Sequence, residues 1–126
     1  MSCDNPGTAS TDVSTNGENN LLLCLNTYTD LKNIHGSYRL KVRAATGMKT
    51  ISVTRTSATD VSAVSAICTH QNCTLGNYNS AARTFTCPCH GSIFNGDGTV
   101  SSGPAVKDLP SYAATLNSGD VTVAIP

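Results

Sequence analysis

The stretch Cys68-Thr69-His70-Gln71-Asn72-Cys73 is answered later in the chain by Cys87-Pro88-Cys89-His90-Gly91-Ser92. Together these segments hold four of the six cysteines and two of the three histidines. As ligands they give the order Cys-x-His, sixteen intervening residues, and Cys-x-x-His. A thiolate and an imidazole this close together on a turn can point at one metal. Each segment therefore predicts half of a metal centre, either one four-coordinate ion or a cluster held from both ends.

The two segments resemble the cluster-binding loops of high-potential, disulfide-containing Rieske [2Fe–2S] proteins. The pattern of that family is Cys-Thr-His-x-x-Cys followed by Cys-Pro-Cys-His-Gly-Ser. The resemblance implies one [2Fe–2S] cluster as the cofactor. One iron would be bound by the sulfurs of Cys68 and Cys87, and the other by nitrogens of His70 and His90.

Three further features are implied by the same resemblance. Cys73 and Cys89 would form a disulfide that joins the two loops. The segment Ser102-Gly103-Pro104-Ala105 resembles the third, proline-bearing loop that covers the cluster. Ser92 would donate a hydrogen bond to a bridging sulfide, which raises the reduction potential; the alternative for Ser92 is an ordinary turn residue.

The chain departs from the family pattern at three positions. Gln71 and Asn72 stand where the family usually has an apolar residue and a glycine. Asn tolerates a left-handed backbone, so we expect the turn to form, and Gln71 makes the rim of the cluster more polar. Phe94 stands where many members have a tyrosine whose hydroxyl bonds a ligand sulfur, so we expect a lower potential here than in similar tyrosine-bearing proteins.

Composition limits the fold and the partners. At 126 residues the chain is one domain by size. Charged residues are 13% and the formal net charge is zero, so no large field attracts nucleic acid or an anionic membrane. No apolar run reaches the length of a membrane span. A structural disulfide persists mainly outside the cytosol, which predicts a periplasmic or extracytoplasmic location.

The first twenty residues are polar and predict a flexible leader, residues 1–20. Cys3 near its start has two interpretations that the sequence leaves open. It is either a lipid-attachment cysteine that anchors the protein to a membrane, or the partner of Cys24 in a disulfide. Cys24 is otherwise expected to be a small core residue.

Short strands dominate the rest of the chain. Residues 37–43 and 49–55 alternate polar and apolar side chains, as half-buried strands do. The apolar run 21–25 predicts a buried strand, and Asn95-Gly96-Asp97-Gly98 predicts a hairpin. A last hairpin is expected from residues 112–116 and 121–125. The fold class predicted is all-β, a sandwich or stacked antiparallel sheets.

The expected domain plan is a Rieske-like antiparallel β-sandwich over residues 21–126. The resemblance adds a small cluster-binding subdomain of hairpin loops over about 68–105. His35, in the connection 30–36, has no second ligand near it in sequence. We expect His35 to face solvent and to have no metal role.

Three functions remain from the sequence. The favoured one is one-electron transfer, free or within a redox complex, with a cytochrome or a quinol-oxidising complex as partner. Two neutral imidazoles in place of thiolates make the cluster less negative and raise its potential. The alternatives are a Rieske-type ferredoxin that feeds an oxygenase, which generally lacks the extra cysteine pair, and a zinc-stabilised binding module. No catalytic activity of its own is expected.

Overall fold

The structure is a computed structural model that describes residues 12–14, 20–44, 47–68, 73–89, 91–117 and 119–125. Within these ranges the chain forms eleven strands and one short 3-10 helix, η1 (Thr29–Lys32). The strands are β1 (Asp12–Ser14), β2 (Asn20–Cys24), β3 (Ser37–Ala44), β4 (Gly47–Arg55), β5 (Val61–Ser65), β6 (Thr84–Thr86), β7 (Ile93–Asn95), β8 (Val100–Ser102), β9 (Ser111–Tyr112), β10 (Ala114–Leu116) and β11 (Asp120–Ala124).

The strands form three sheets. The large sheet has the order β1-β3-β4-β5-β9, the small sheet β10-β11-β2, and the loop sheet β6-β7-β8. All pairs are antiparallel except β1 with β3. The predicted all-β class with antiparallel sheets is confirmed. No helix in the described ranges is long and apolar enough to cross a membrane.

Alternation of side chains explains the large sheet. On β3 the side chains of Leu40 and Val42 are fully buried, while Arg39 and Lys41 are exposed. Leu40 lies opposite Ile51 of β4, which is also fully buried. Successive side chains of a strand point to opposite faces, so Leu40, Val42 and Ile51 lie on the face that forms a core. The other face is exposed at Arg39 and Lys41 but buried at Ser52 and Thr54 of β4.

The large and small sheets share one hydrophobic core. Its aliphatic members include Leu21, Leu23, Leu31, Leu40, Val42, Ile51, Val53, Val121, Val123 and Ile125. Each such side chain contributes about 1.5–3 kcal/mol when fully buried. The run 21–25 is buried on one face only, because Leu22 and Cys24 of β2 point away from this core and are half-buried.

The predicted strand over residues 112–116 is divided between two sheets. Tyr112 of β9 pairs with Ala63 of the large sheet, whereas Ala114 of β10 pairs with Val123 of the small sheet. Ala113 lies between them, and its carbonyl accepts a hydrogen bond from the Ala124 amide at 2.9 Å. The chain therefore crosses from one sheet to the other here and ties the two together.

A second hydrophobic core lies under the loop sheet. Its members are Val64, Cys68, Leu75, Phe85, Cys87, Phe94, Ala105 and Leu109. This core lies largely within the segment 68–105 for which the cluster-binding subdomain was predicted. The boundaries 1–20, 21–126 and 68–105 stay predictions, although the polar leader contains a strand, β1, that pairs with β3.

Candidate metal centre

The two predicted cysteine ligands lie in the second core. Cys68 follows β5 through Ala66 and Ile67, and Cys87 follows β6 directly. Their side chains are 0% and 1% exposed, and neither takes part in a disulfide. The predicted nitrogen ligands, His70 and His90, lie outside the described residues. The structure therefore places the thiol half of the predicted ligand set and leaves the imidazole half as a prediction.

Hydrogen bonds close the stem of the first loop. The Cys68 amide donates to the Cys73 carbonyl at 2.7 Å, and Ile67 and Thr74 form a β-bridge. One step further out, the Leu75 amide donates to the Ala66 carbonyl at 2.8 Å. Backbone hydrogen bonds therefore hold the two arms that flank residues 69–72 as an antiparallel pair. Gln71 and Asn72, two of its departures from the family pattern, lie outside the described residues.

The second loop is closed in the same way. The Cys87 amide donates to the Ser92 carbonyl at 2.8 Å, and the Gly91 amide donates to the Cys87 carbonyl at 2.9 Å. Gly91 has φ of 76°, in the left-handed region that glycine adopts without steric cost. A glycine before Ser92 therefore lets the chain turn back on Cys87 and form the β6–β7 hairpin.

A disulfide joins the two loops. Cys73 and Cys89 are bonded, with their Cα atoms 6.5 Å apart, which confirms the predicted pair. The sulfurs of Cys73, Cys87 and Cys89 all lie within 4.8 Å of one another. Because two of these sulfurs are used in the disulfide, Cys87 is the member of the group whose sulfur can bind a metal.

The third loop is fastened to the second through Ser92. The Ser92 side chain is 0% exposed, and its Oγ accepts a hydrogen bond from the Ala105 amide at 3.0 Å. Accepting this bond leaves the hydroxyl proton able to donate elsewhere. Gly103 and Pro104, joined by a cis peptide bond, precede Ala105 and are exposed.

Phe94 lies in the core shared with Cys68 and Cys87 and is 0% exposed. It pairs across the strands with Phe85 of β6, also fully buried. This position carries a ring and no hydroxyl, so Phe94 supplies apolar packing and offers no hydrogen bond to sulfur. Apolar surroundings of this kind control water access to a metal site and so influence its potential.

One residue differs from its expectation, and another bears on a question that the sequence left open. His35 is half-buried rather than solvent-facing, and its Nδ1 is buried with no hydrogen-bond partner in the described structure. It has φ of 70° and its amide donates to the Arg55 carbonyl at 2.6 Å, so backbone pairing holds it against β4. Cys24 is disulfide-bonded, which agrees with the disulfide interpretation and not with the alternative of a plain core thiol. Its partner lies outside the described residues, as does Cys3.

The donor set fits an iron–sulfur cluster. Two buried thiols, Cys68 and Cys87, lie in closed backbone turns beside one disulfide, and thiolate sulfur is the ligand that holds such clusters. The Rieske [2Fe–2S] domain family profile matches residues 23–113. The fold and the site thus define an iron–sulfur electron-transfer protein. The chain belongs to the Rieske [2Fe–2S] family, whose cofactor is one Rieske-type [2Fe–2S] cluster.

Individual relatives agree with this. The chain is 39% identical over 61 residues to the cytochrome b6-f complex iron-sulfur subunit of Gloeobacter violaceus, covering 48% of this chain and 32% of that protein. The chain therefore spans about a third of the length of the curated relatives it matches.

Solved structures are similar over more of the chain. The plasma membrane Rieske protein PetC3 of Synechocystis PCC 6803 is 32% identical with a TM-score of 0.66, over 83% of this chain and 99% of that one. The ferredoxin of carbazole 1,9a-dioxygenase from Nocardioides aromaticivorans is 20% identical with a TM-score of 0.64, over 85% and 98% of the two chains. That second likeness shows the fold alone.

Proposed function

We propose that this chain is a high-potential, extracytoplasmic one-electron carrier whose cluster is bound by Cys68, His70, Cys87 and His90. The observation that carries the proposal is the Cys73–Cys89 disulfide between the two loops, beside the Cys87 sulfur. A structural disulfide supports an oxidising compartment. It also distinguishes this chain from Rieske-type ferredoxins, which generally lack that cysteine pair.

The bound cluster supplies one-electron chemistry at a potential raised by its two neutral ligands. The chain itself holds the loops in place. Backbone hydrogen bonds at Cys68 and Cys87 hold both thiols in buried positions, and the disulfide joins the two loops. The Ser92 Oγ fastens the third loop to the second, and its hydroxyl proton would donate to a cluster sulfur. Phe94 and Phe85, in the same buried core as Cys68 and Cys87, keep water away from these two thiols.

The partner we propose is a cytochrome or a quinol-oxidising complex, with the protein on the periplasmic or outer face of a membrane. Support comes from the relatives: PetC3 is described as a plasma membrane protein, and the b6-f subunits as parts of a complex. A lipid or N-terminal anchor would suit this location. Cys3, which lies outside the described residues, is a weaker candidate for the attachment point than the sequence indicated. Cys24 is disulfide-bonded, and the four cysteines of the two loops are accounted for as one disulfide and two thiols that form no disulfide.

Metal analysis combined with a graded reduction tests the proposal. The purified protein should contain iron and acid-labile sulfide in the ratio of a [2Fe–2S] cluster. Ascorbate, a mild reductant, should reduce it and produce an EPR signal. A cluster that only dithionite reduces would favour the ferredoxin alternative. Zinc without iron, with no EPR signal, would overturn the proposal.

A further inference from the structure

Arg39 joins the large sheet to the first cluster-binding loop. It lies on the exposed face of β3, 36 positions before Leu75. Its Nη1 donates a hydrogen bond to the Leu75 carbonyl at 2.7 Å. A hydrogen bond from a charged donor is stronger than one between neutral groups. This bond links two parts of the chain that belong to different hydrophobic cores.

Leu75 is the point at which the first loop leaves the cluster region. It follows Cys73 by two residues and is 1% exposed. Its amide donates to Ala66, its side chain packs in the core with Cys68 and Cys87, and its carbonyl accepts from Arg39. The Ala66 amide in turn donates to the Thr50 carbonyl of β4 at 2.9 Å. Leu75 is therefore held by its amide, its side chain and its carbonyl.

The Arg39 side chain lines a surface cavity. This cavity of about 690 Å³ lies between the outer face of β3 and β4 and the segment that follows the first loop. Its lining includes Arg39, Lys41, Thr50 and Ser52 on one side and Thr74 and Tyr78 on the other. Beside this cavity the Arg39 bond acts together with the Leu75–Ala66 and Ala66–Thr50 backbone bonds to set the separation of the two surfaces.

We propose that Arg39 is a positioning residue for electron transfer, which fixes the exit of the first cluster-binding loop to the large sheet. Holding Leu75 also holds the arm that leads into Cys68, because the Leu75 amide is bonded to the Ala66 carbonyl. The link to electron transfer rests on the proposed function, since it takes loop 68–73 to hold the cluster. The local effect on the loop can be measured separately.

Hydrogen exchange with mass spectrometry on the cluster-loaded protein tests this. Arg39→Gln removes the charged donor, and exchange in residues 66–78 should become about tenfold faster, because the segment opens locally at lower cost. Arg39→Lys keeps one charged donor and should restore most of the protection. Exchange in β2 and β11 should stay unchanged in both variants. Bleaching of the cluster's visible absorption in denaturant should speed up in Arg39→Gln and recover in Arg39→Lys.

The matched control is Lys41→Gln, which removes a positive charge from the same face of β3 two residues away. It should leave residues 66–78 as protected as in the parent protein. The proposal is overturned if Arg39→Gln leaves that segment unchanged, if Lys41→Gln loosens it equally, or if Arg39→Gln speeds exchange equally in all strands. If the exchange pattern holds in a protein that carries no iron, the positioning of the loop stands and the proposed function fails.

Discussion

The Ser92 Oγ accepts a hydrogen bond from the Ala105 backbone amide at 3.0 Å, in a fully buried setting thirteen residues along the chain. This bond joins the second cluster-binding loop to the proline-bearing third loop. It gives Ser92 a structural role as acceptor, which the sequence did not predict. The electrostatic role as donor, which would use the hydroxyl proton, stays a prediction.

Ser92→Ala should affect both roles. It leaves the buried Ala105 amide without a partner, which costs about 1–3 kcal/mol in the free energy of unfolding. It also removes the hydroxyl donor, so the reduction potential should fall by about a few tens of millivolts. Denaturant unfolding and protein-film voltammetry at one pH measure the two effects. Ser101→Ala, at an exposed position of β8, is the control and should change neither. If Ser92→Ala lowers the stability but leaves the reduction potential unchanged, Ser92 has only the structural role.

Phe94→Tyr should raise the potential by about a few tens of millivolts, if its hydroxyl bonds a ligand sulfur. One neutral hydrogen bond contributes about 0.5–1.5 kcal/mol. A tenfold change in the equilibrium constant of a one-electron reduction corresponds to about 59 mV. Phe85→Tyr is the matched control, since Phe85 is the buried cross-strand partner of Phe94. Voltammetry should show a shift for Phe94→Tyr alone. Equal potentials in both variants would mean that position 94 does not reach the cluster sulfur.

Replacing both Cys73 and Cys89 with serine should destabilise the cluster-binding loops more than the large and small sheets. The disulfide spans a sequence separation of 16 residues, for which the loss of loop closure corresponds to about 3 kcal/mol. Cluster bleaching should therefore occur at lower denaturant, with the far-ultraviolet circular dichroism midpoint little changed. Cys24→Ser, which breaks the disulfide at Cys24, should lower the circular dichroism midpoint and leave cluster bleaching little changed. Coincident midpoints in both variants would show one cooperative unit.

Gly91→Ala should weaken the second loop through backbone strain alone. Gly91 has φ of 76°, and a Cβ added there would meet nothing within 4 Å. The left-handed backbone costs an L-residue about 1–2 kcal/mol, so cluster retention during denaturation should fall. Gly119→Ala is the control, because its Cβ also meets nothing within 4 Å and its φ lies outside the left-handed range. Equal stability of the two variants would contradict the assigned turn.

Asp97 predicts a pH dependence of stability. Hydrogen bonds from Thr99, first from its hydroxyl at 2.7 Å and then from its amide, lower the pKa of the Asp97 carboxyl below its ordinary value. As the pH falls, the unfolded chain takes up this proton first. The stabilisation is therefore complete above the ordinary pKa and is lost as the pH falls through the lowered, folded-state pKa. Asp97→Asn should flatten the acid side of the stability curve, and an unchanged slope would contradict this.

Local patterns predicted much of this fold and one part of the site. The alternation over residues 37–43 and 49–55 located β3 and β4 because side-chain burial in a strand depends on neighbours two positions apart. The Cys73–Cys89 pair followed from the resemblance of the loop motifs. Motif spacing also predicted His70 and His90 as ligands, and that prediction stays open.

Non-local pairing explains what the sequence did not predict. The short strand β1 lies in a polar segment with no apolar alternation, and its pairing with β3 is supplied by the edge of the large sheet. The division of residues 112–116 at Ala113 depends on which sheet pairs with the residues on each side of Ala113. The Arg39–Leu75 bond spans 36 positions, and no local pattern marks that arginine as different from other exposed cations.

The most direct test of the central claim is pulsed EPR of the reduced protein labelled with ¹⁵N at histidine. The account predicts couplings from two directly bound histidine nitrogens, unchanged in His35→Gln and altered in His70→Cys or His90→Cys. A reduced cluster that shows no coupling to bound histidine nitrogen, or a coupling that disappears in His35→Gln, would contradict binding by Cys68, His70, Cys87 and His90.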